Sequence, residues 1–287
     1  MLRRQLIAGL VAGWQNLVTR NRQNLAHLMP PQSTALLLDV HTRMPVAIHG
    51  AAAGMQLVPP GSTIKPFVIS SLLRAGKLST EESFFCPASL KIGGRSFDCT
   101  HPRLTGAIQV RSALAYSCNC FVAHYARRFQ PGELARSLER AGLGALTGWT
   151  EPETTGRIRA AVGEQANQLQ ALGEEPLLLT AAELALGYRT IAIGAERPEM
   201  GPIIDGLEDA TEYGTAQLAR VAGLKVAGKT GSVRTRSGAR IAWFAGFAPS
   251  RTPKVVVTVM LQGRSGGSDA APIAGRILEE WRAGKLR

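Results

Sequence analysis

The sequence predicts an α+β fold: an antiparallel five-stranded sheet covered by terminal helices, with a helical subdomain at about residues 78–222 beside it. Short apolar runs of strand character lie near both ends of the chain, while the long middle reads mostly as helix. Neither terminal set of strands can bury its faces alone, so both must share one sheet. At 287 residues, 45% hydrophobic and 19% charged, the chain supports one substantial core and is not a disordered segment.

Residues 34–40 and 45–49 read as two strands joined by a turn at His41-Thr42-Arg43. A helix is expected from Ser62 to about Ala75, stopped by Gly76. Pro66 is tolerated in its first turn, where the missing amide has no helical partner. Cys86 and Cys99 bracket a hairpin-like stretch with Gly93-Gly94 at its turn. From Ser79 to about Val221 the pattern is mostly helical, with loops around residues 142–148 and 198–202. Residues 225–233, 239–247 and 255–262 then read as three consecutive strands, and residues 270–281 as a closing helix.

Residues 1–30 form a separate N-terminal segment, and the main domain occupies 31–287. Met1-Leu2-Arg3-Arg4 followed by a short apolar run has the layout of an export signal or a membrane-surface helix. An amphipathic first helix packed on the domain reads equally well. The run is too short to span a bilayer, which needs about twenty apolar residues. The formal charge of +12 suits a membrane surface or an anionic polymer, though ordinary solubilising Lys and Arg account for it as readily. No basic run interleaved with aromatics is present, so nucleic acid is not an expected partner.

The four cysteines fall into the pairs Cys86/Cys99 and Cys118/Cys120. In an oxidising compartment the hairpin favours a Cys86–Cys99 disulfide. A zinc site from Cys86, Cys99, His101 and one of Cys118 or Cys120 ranks behind it, because the spacing matches no strong zinc pattern. Free buried thiols are the third reading. Cys118 and Cys120 flank Asn119, cannot share one side of a helix, and read as small core residues. No metal and no cofactor is assigned to the site.

Three segments carry chemistry. Ser62-Thr63-Ile64-Lys65 sets a nucleophile and a base candidate one helical turn apart. Lys65 must be neutral near pH 7 to take the serine's proton, which burial and the nearby cation Lys229 would favour. In Ser117-Cys118-Asn119, Ser117 can relay a proton and Asn119 can hold a substrate amide, provided the stretch is a loop or extended turn. Lys229-Thr230-Gly231-Ser232 lies on an expected strand. Gly231 permits close approach of another chain, and Lys229 with the Thr230 and Ser232 hydroxyls can bind a carboxylate. An edge strand there would take an extended peptide by strand addition. Alone, Ser-x-x-Lys arises by chance roughly once in a chain of this length. The three segments in this order are a much sharper signal.

With these motifs the chain resembles the penicillin-binding transpeptidase family, within the serine β-lactamase-like superfamily. The likeness runs from about Thr34 to Trp281 and includes Pro60-Gly61-Ser62-Thr63-Ile64-Lys65-Pro66-Phe67, Ala115-Tyr116-Ser117-Cys118-Asn119 and Ala227-Gly228-Lys229-Thr230-Gly231. Gly214-Thr215-Ala216 and residues 242–249 follow the same pattern, and the cysteine hairpin is similar to a segment of the family's elongation-type branch. The resemblance implies a periplasmic or extracytoplasmic D,D-transpeptidase or carboxypeptidase acting on peptidoglycan stem peptides. Ser62, Lys65 and Ser117 would be catalytic, Asn119 and Lys229 through Ser232 would bind substrate, and the Ser62 and Ser232 amides would form the oxyanion hole. It also implies β-lactams as covalent inhibitors and cell-wall synthesis proteins as partners. A serine β-lactamase is the nearest alternative, but it needs a deacylating base, and Glu183 comes nearest in the wrong context. A non-catalytic sensing or scaffold module is the third. Labelling by fluorescent penicillin separates these readings.

Overall fold

The computed structural model describes residues 24–286 except 104, 105 and 175, so the expectations for residues 1–23 lie outside the described part. In chain order the elements are β1 (Thr34–Asp39), β2 (Pro45–His49), α1 (Lys65–Arg74), β3 (Lys91–Ile92), β4 (Arg95–Ser96) and α2 (Val110–Ala115). They continue with α3 (Asn119–Ala126), α4 (Glu133–Arg140), α5 (Glu164–Ala171), α6 (Ala181–Ile193) and α7 (Gly201–Glu212). The chain closes with β5 (Ala227–Arg234), β6 (Arg240–Ala248), β7 (Val255–Gln262) and α8 (Ala271–Arg282).

The five long strands form one antiparallel sheet in the order β2-β1-β7-β6-β5, which makes β5 an edge strand. Strands from the two ends of the chain meet where β1 pairs with β7, with Leu37 opposite Val257. Side chains alternate across the sheet with period two. Leu36, Leu38, Trp243, Phe247 and Met260 enter the core shared with the central helices. Ala35, Leu37, Phe244, Val257 and Val259 enter a second core, closed on the other face by Ile273, Ala274, Ile277 and Leu278 of α8. Helix α6 packs on β7, β6 and β1, and it is apolar on most sides because it is surrounded. Gly187 of α6 is required there: a Cβ would lie 2.6 Å from Leu143 and 3.0 Å from the Phe67 ring.

Three local differences from the sequence expectations have clear causes. The helix expected at Ser62 opens as a 3₁₀ turn over Gly61–Ile64 and becomes α-helical at Lys65. Residues 198–202 are not a loop but a helix start, a 3₁₀ turn over Pro198–Met200 leading into α7. Pro198 and Pro202 lack only amides that a first turn leaves unpaired. The loop at residues 142–148 extends much further, with no regular element between α4 and α5. It is organised by the Glu153 carboxylate, which accepts from the amides of Thr147 (3.0 Å) and Gly148 (2.8 Å).

Candidate active site

The segment around Ser62, the expected nucleophile, is fixed by contacts to its backbone. Gly61 has φ +56°, a left-handed conformation, and its N–H donates to the Gly173 carbonyl at 2.9 Å. Thr63 is held twice: its hydroxyl donates to the Pro60 carbonyl (2.7 Å), and its own carbonyl accepts from the buried Tyr188 hydroxyl (2.8 Å). Trp243, fully buried on β6, donates its indole N–H to Pro59 at 3.1 Å. Ser62 thus leaves a clamped turn at the mouth of α1, half-buried between wholly buried neighbours.

Lys65 follows on the next turn and is completely buried. Its Nζ donates to the Ser117 carbonyl (2.6 Å), the Ser117 hydroxyl (3.2 Å) and Asn119 Oδ1 (2.5 Å). All three of these bonds go to the middle segment. Ser117 has φ +57°, Cys118 is extended, and Asn119 is the first residue of α3. That local path turns the Ser117 and Asn119 side chains toward one ammonium, as the sequence required of a loop. Asn119 is oriented from its other end, Nδ2 donating to the Phe97 carbonyl at 2.9 Å.

Burial brings the Lys65 ammonium down from its ordinary value to about 8, against the opposing pull of the Cys118, Cys99 and Cys120 sulfurs. Of the two causes that the sequence named, burial and the Lys229 charge, burial is therefore the main one. The influence runs the other way: Lys229, also completely buried, is lowered well below the usual lysine range by burial and then by Lys65.

Lys229, Thr230, Gly231 and Ser232 lie on edge strand β5. Thr230 donates its hydroxyl to that of Thr215 (3.0 Å), and Ser232 Oγ accepts from the Gly266 amide (2.9 Å). A Cβ on Gly231 would lie 2.7 Å from the Pro60 carbonyl, so the strand passes directly against the nucleophile segment. The fold therefore brings all three sequence motifs together. Sequence reasoning did not find the parts played by Gly173, Phe97 and Gly266. Gly173 has a readable signal, a glycine just beyond a helix, but that signal means a helix stop and does not name Gly61 as its partner.

Cys86 and Cys99, the pair expected from the sequence to form a disulfide, stand here as free thiols. The sulfurs are 3.7 Å apart, against about 2.05 Å for a bond, and all four cysteines are thiols. Instead, Cys86, Cys99, His101 and Cys118 bring their donor atoms within 4.8 Å of one another. Two thiolates at about 2.3 Å on a tetrahedral zinc stand about 3.8 Å apart, and a thiolate and an imidazole nitrogen about 3.6 Å. Here Cys86–Cys118 is 3.5 Å, Cys99–Cys118 is 3.7 Å and Cys86 to His101 Nε2 is 3.6 Å. This donor set fits a zinc ion, the reading that the sequence ranked behind the disulfide. Nor are Cys118 and Cys120 on opposite sides: both lie near Cys99, at 3.7 and 3.5 Å. Cys118 stands outside the helix as the cap of α3, its sulfur accepting from the Phe121 amide at 3.4 Å, so helical spacing does not separate the pair.

A family model described as penicillin binding protein transpeptidase domain matches residues 52–279. The probable peptidoglycan D,D-transpeptidase PenA of Neisseria flavescens is 26% identical over 80% of this chain and 64% of its own length. The peptidoglycan D,D-transpeptidase PbpA of Mycobacterium tuberculosis is 24% identical over 77% of this chain and 54% of its own. The chain thus spans between half and two thirds of these relatives. A crystal structure of Pseudomonas aeruginosa PBP2 in complex with WCK 5153 has the same fold, with a TM-score of 0.77 and 18% identity over 88% of this chain and 74% of that one.

Proposed function

The chain belongs to the penicillin-binding protein transpeptidase domain family, and from that premise we propose that it is a serine D,D-transpeptidase acting on peptidoglycan stem peptides. One observation carries the reading: a buried Lys65, lowered to about 8, donates to both Ser117 and Asn119 beside the Ser62 turn. Neutral Lys65 takes the Ser62 proton as Oγ attacks the penultimate D-alanine carbonyl carbon. The tetrahedral oxyanion is met by the Ser62 and Ser232 amides. Ser117, in hydrogen-bond contact with Lys65, passes that proton to the departing D-alanine amine as the C–N bond breaks. An acceptor amine or water then releases the acyl group, giving cross-linking or carboxypeptidation. The stem lies along edge strand β5, with its carboxylate at Thr230 and Lys229. An arriving carboxylate offsets the burial that lowers Lys229.

A zinc ion on Cys86, Cys99, His101 and Cys118 would supply structure, tying the hairpin to the middle segment. The substrate implies an extracytoplasmic location and cell-wall synthesis proteins as partners. Among the described residues, no helix is long and apolar enough to cross a membrane.

The β-lactamase alternative loses its nearest base. Glu183 caps α6, its carboxylate accepting from the Thr180 amide (2.8 Å) and the Gly156 amide (2.5 Å). Fluorescent penicillin with a time course of release tests the proposal. A long-lived adduct on Ser62, together with D-alanine release from a stem pentapeptide, is expected. Rapid turnover of the adduct would indicate a β-lactamase, an adduct without D-alanine release a sensor, and no adduct a scaffold.

A further inference from the structure

The sulfur cluster holds one thiol more than a tetrahedral ion uses. Cys86, Cys99, His101 and Cys118 fill four positions, and Cys120 is left outside that set. Its sulfur is 3.5 Å from Cys99 and 3.7 Å from the Ser89 carbonyl. It also lines a surface cavity of about 290 Å³, walled by Phe84, Phe85, Ser89, Leu90 and His124. Phe85, 76% exposed, stands at the rim of that cavity. Cys120 is itself buried, at 3% exposure, so the cavity is its route to solvent; Cys118 is fully buried and carries the catalytic segment on both sides, with Ser117 before it and Asn119 after.

We propose that Cys120 is an oxidation site that dismantles the metal site, through a Cys99–Cys120 disulfide formed when hydrogen peroxide enters the cavity. In the first step the Cys120 thiol takes the peroxide's terminal OH, becoming a sulfenic acid as the O–O bond breaks and one water leaves. In the second, the Cys99 sulfur gives up its metal bond, attacks the sulfenic sulfur and expels hydroxide. Two sulfurs lose one electron each, and one peroxide is reduced. The ion, left with three donors, is released. Metal and disulfide exclude one another because both need Cys99. The consequence reaches the active site through two ties. The Phe97 carbonyl, two residues from Cys99, orients Asn119, and Cys118 loses its metal anchor between Ser117 and Asn119.

The test loads the full chain with zinc, adds hydrogen peroxide, and follows zinc release with a chromogenic chelator and disulfides by peptide mapping. One zinc released per chain, with a Cys99–Cys120 linkage, is expected, and Cys120→Ser should slow release by about tenfold or more. Cys120→Ala, which cannot donate a hydrogen bond, should behave like Cys120→Ser. Release at the parental rate in both variants, a linkage joining Cys86 to Cys99, or a chain that takes up no zinc overturns the proposal. Penicillin labelling before oxidation reports separately on the transpeptidase reading, on which only the active-site consequence rests. Labelling after oxidation should fall by about tenfold, the scale of lost support for a positioned group.

Discussion

The proposed role of Lys65, taking a proton from serine, requires it to be uncharged in a useful fraction of molecules, and complete burial favours this. Acylation should therefore rise with pH through about 8, as the ammonium loses its proton, and level off above. Stopped-flow acylation by a chromogenic β-lactam reads this directly; a rate flat from pH 6 to 9 contradicts it. Lys65→Arg keeps a charge that does not titrate. It should slow acylation by about a thousandfold and remove the pH dependence. Asn119→Leu should also slow acylation, because Asn119 joins the Lys65 ammonium to the Phe97 carbonyl and leucine can make neither bond.

Among the elements, β5 is the one whose position decides the site. It is an edge strand, and Gly231 lets it run against Pro60 without a clash. Gly231→Ala would drive a methyl to 2.7 Å from the Pro60 carbonyl, a backbone atom that cannot swing aside. Overpacking of this kind costs about 1–3 kcal/mol, and displacement of the strand should lower the acylation rate about tenfold or more. Melting temperature and labelling rate measured together check this, and an unchanged labelling rate contradicts it. The strands were legible because their apolar runs have the right length and turn chemistry: β2 and β7 occupy the residues expected, and β1, β5 and β6 differ by one or two at their ends. The three site motifs were legible because two sit at helix starts and the third lies on a strand of clear apolar pattern. The sulfur cluster was legible only as a candidate set, Cys86, Cys99, His101 and one of Cys118 or Cys120: its closure joins Cys86 to Cys118 across 32 residues, and no local pattern records that the hairpin folds back onto the middle segment. For the Lys65 shift the sequence named both burial and the other cation, but the degree of burial, which makes desolvation the larger, shows only in the fold.

Across the whole molecule, the sheet separates two cores with different duties. The core facing α6 carries Trp243 and Tyr188, whose polar tips hold the nucleophile turn at Pro59 and Thr63. Among the described residues, none of the three site motifs contributes to the core under α8. Ile277→Ala, at a fully buried position of α8, should cost about 2–5 kcal/mol and lower the melting temperature. It should leave the acylation rate, measured well below melting, within about twofold of the parent. A matching loss of rate would mean that the two faces are coupled. The central claim is that the Ser62 hydroxyl is the nucleophile, and intact-mass spectrometry after exposure to benzylpenicillin tests it most directly. The parent should gain one penicilloyl group mapped to Ser62, and a folded Ser62→Ala should gain none; an adduct on folded Ser62→Ala would contradict it.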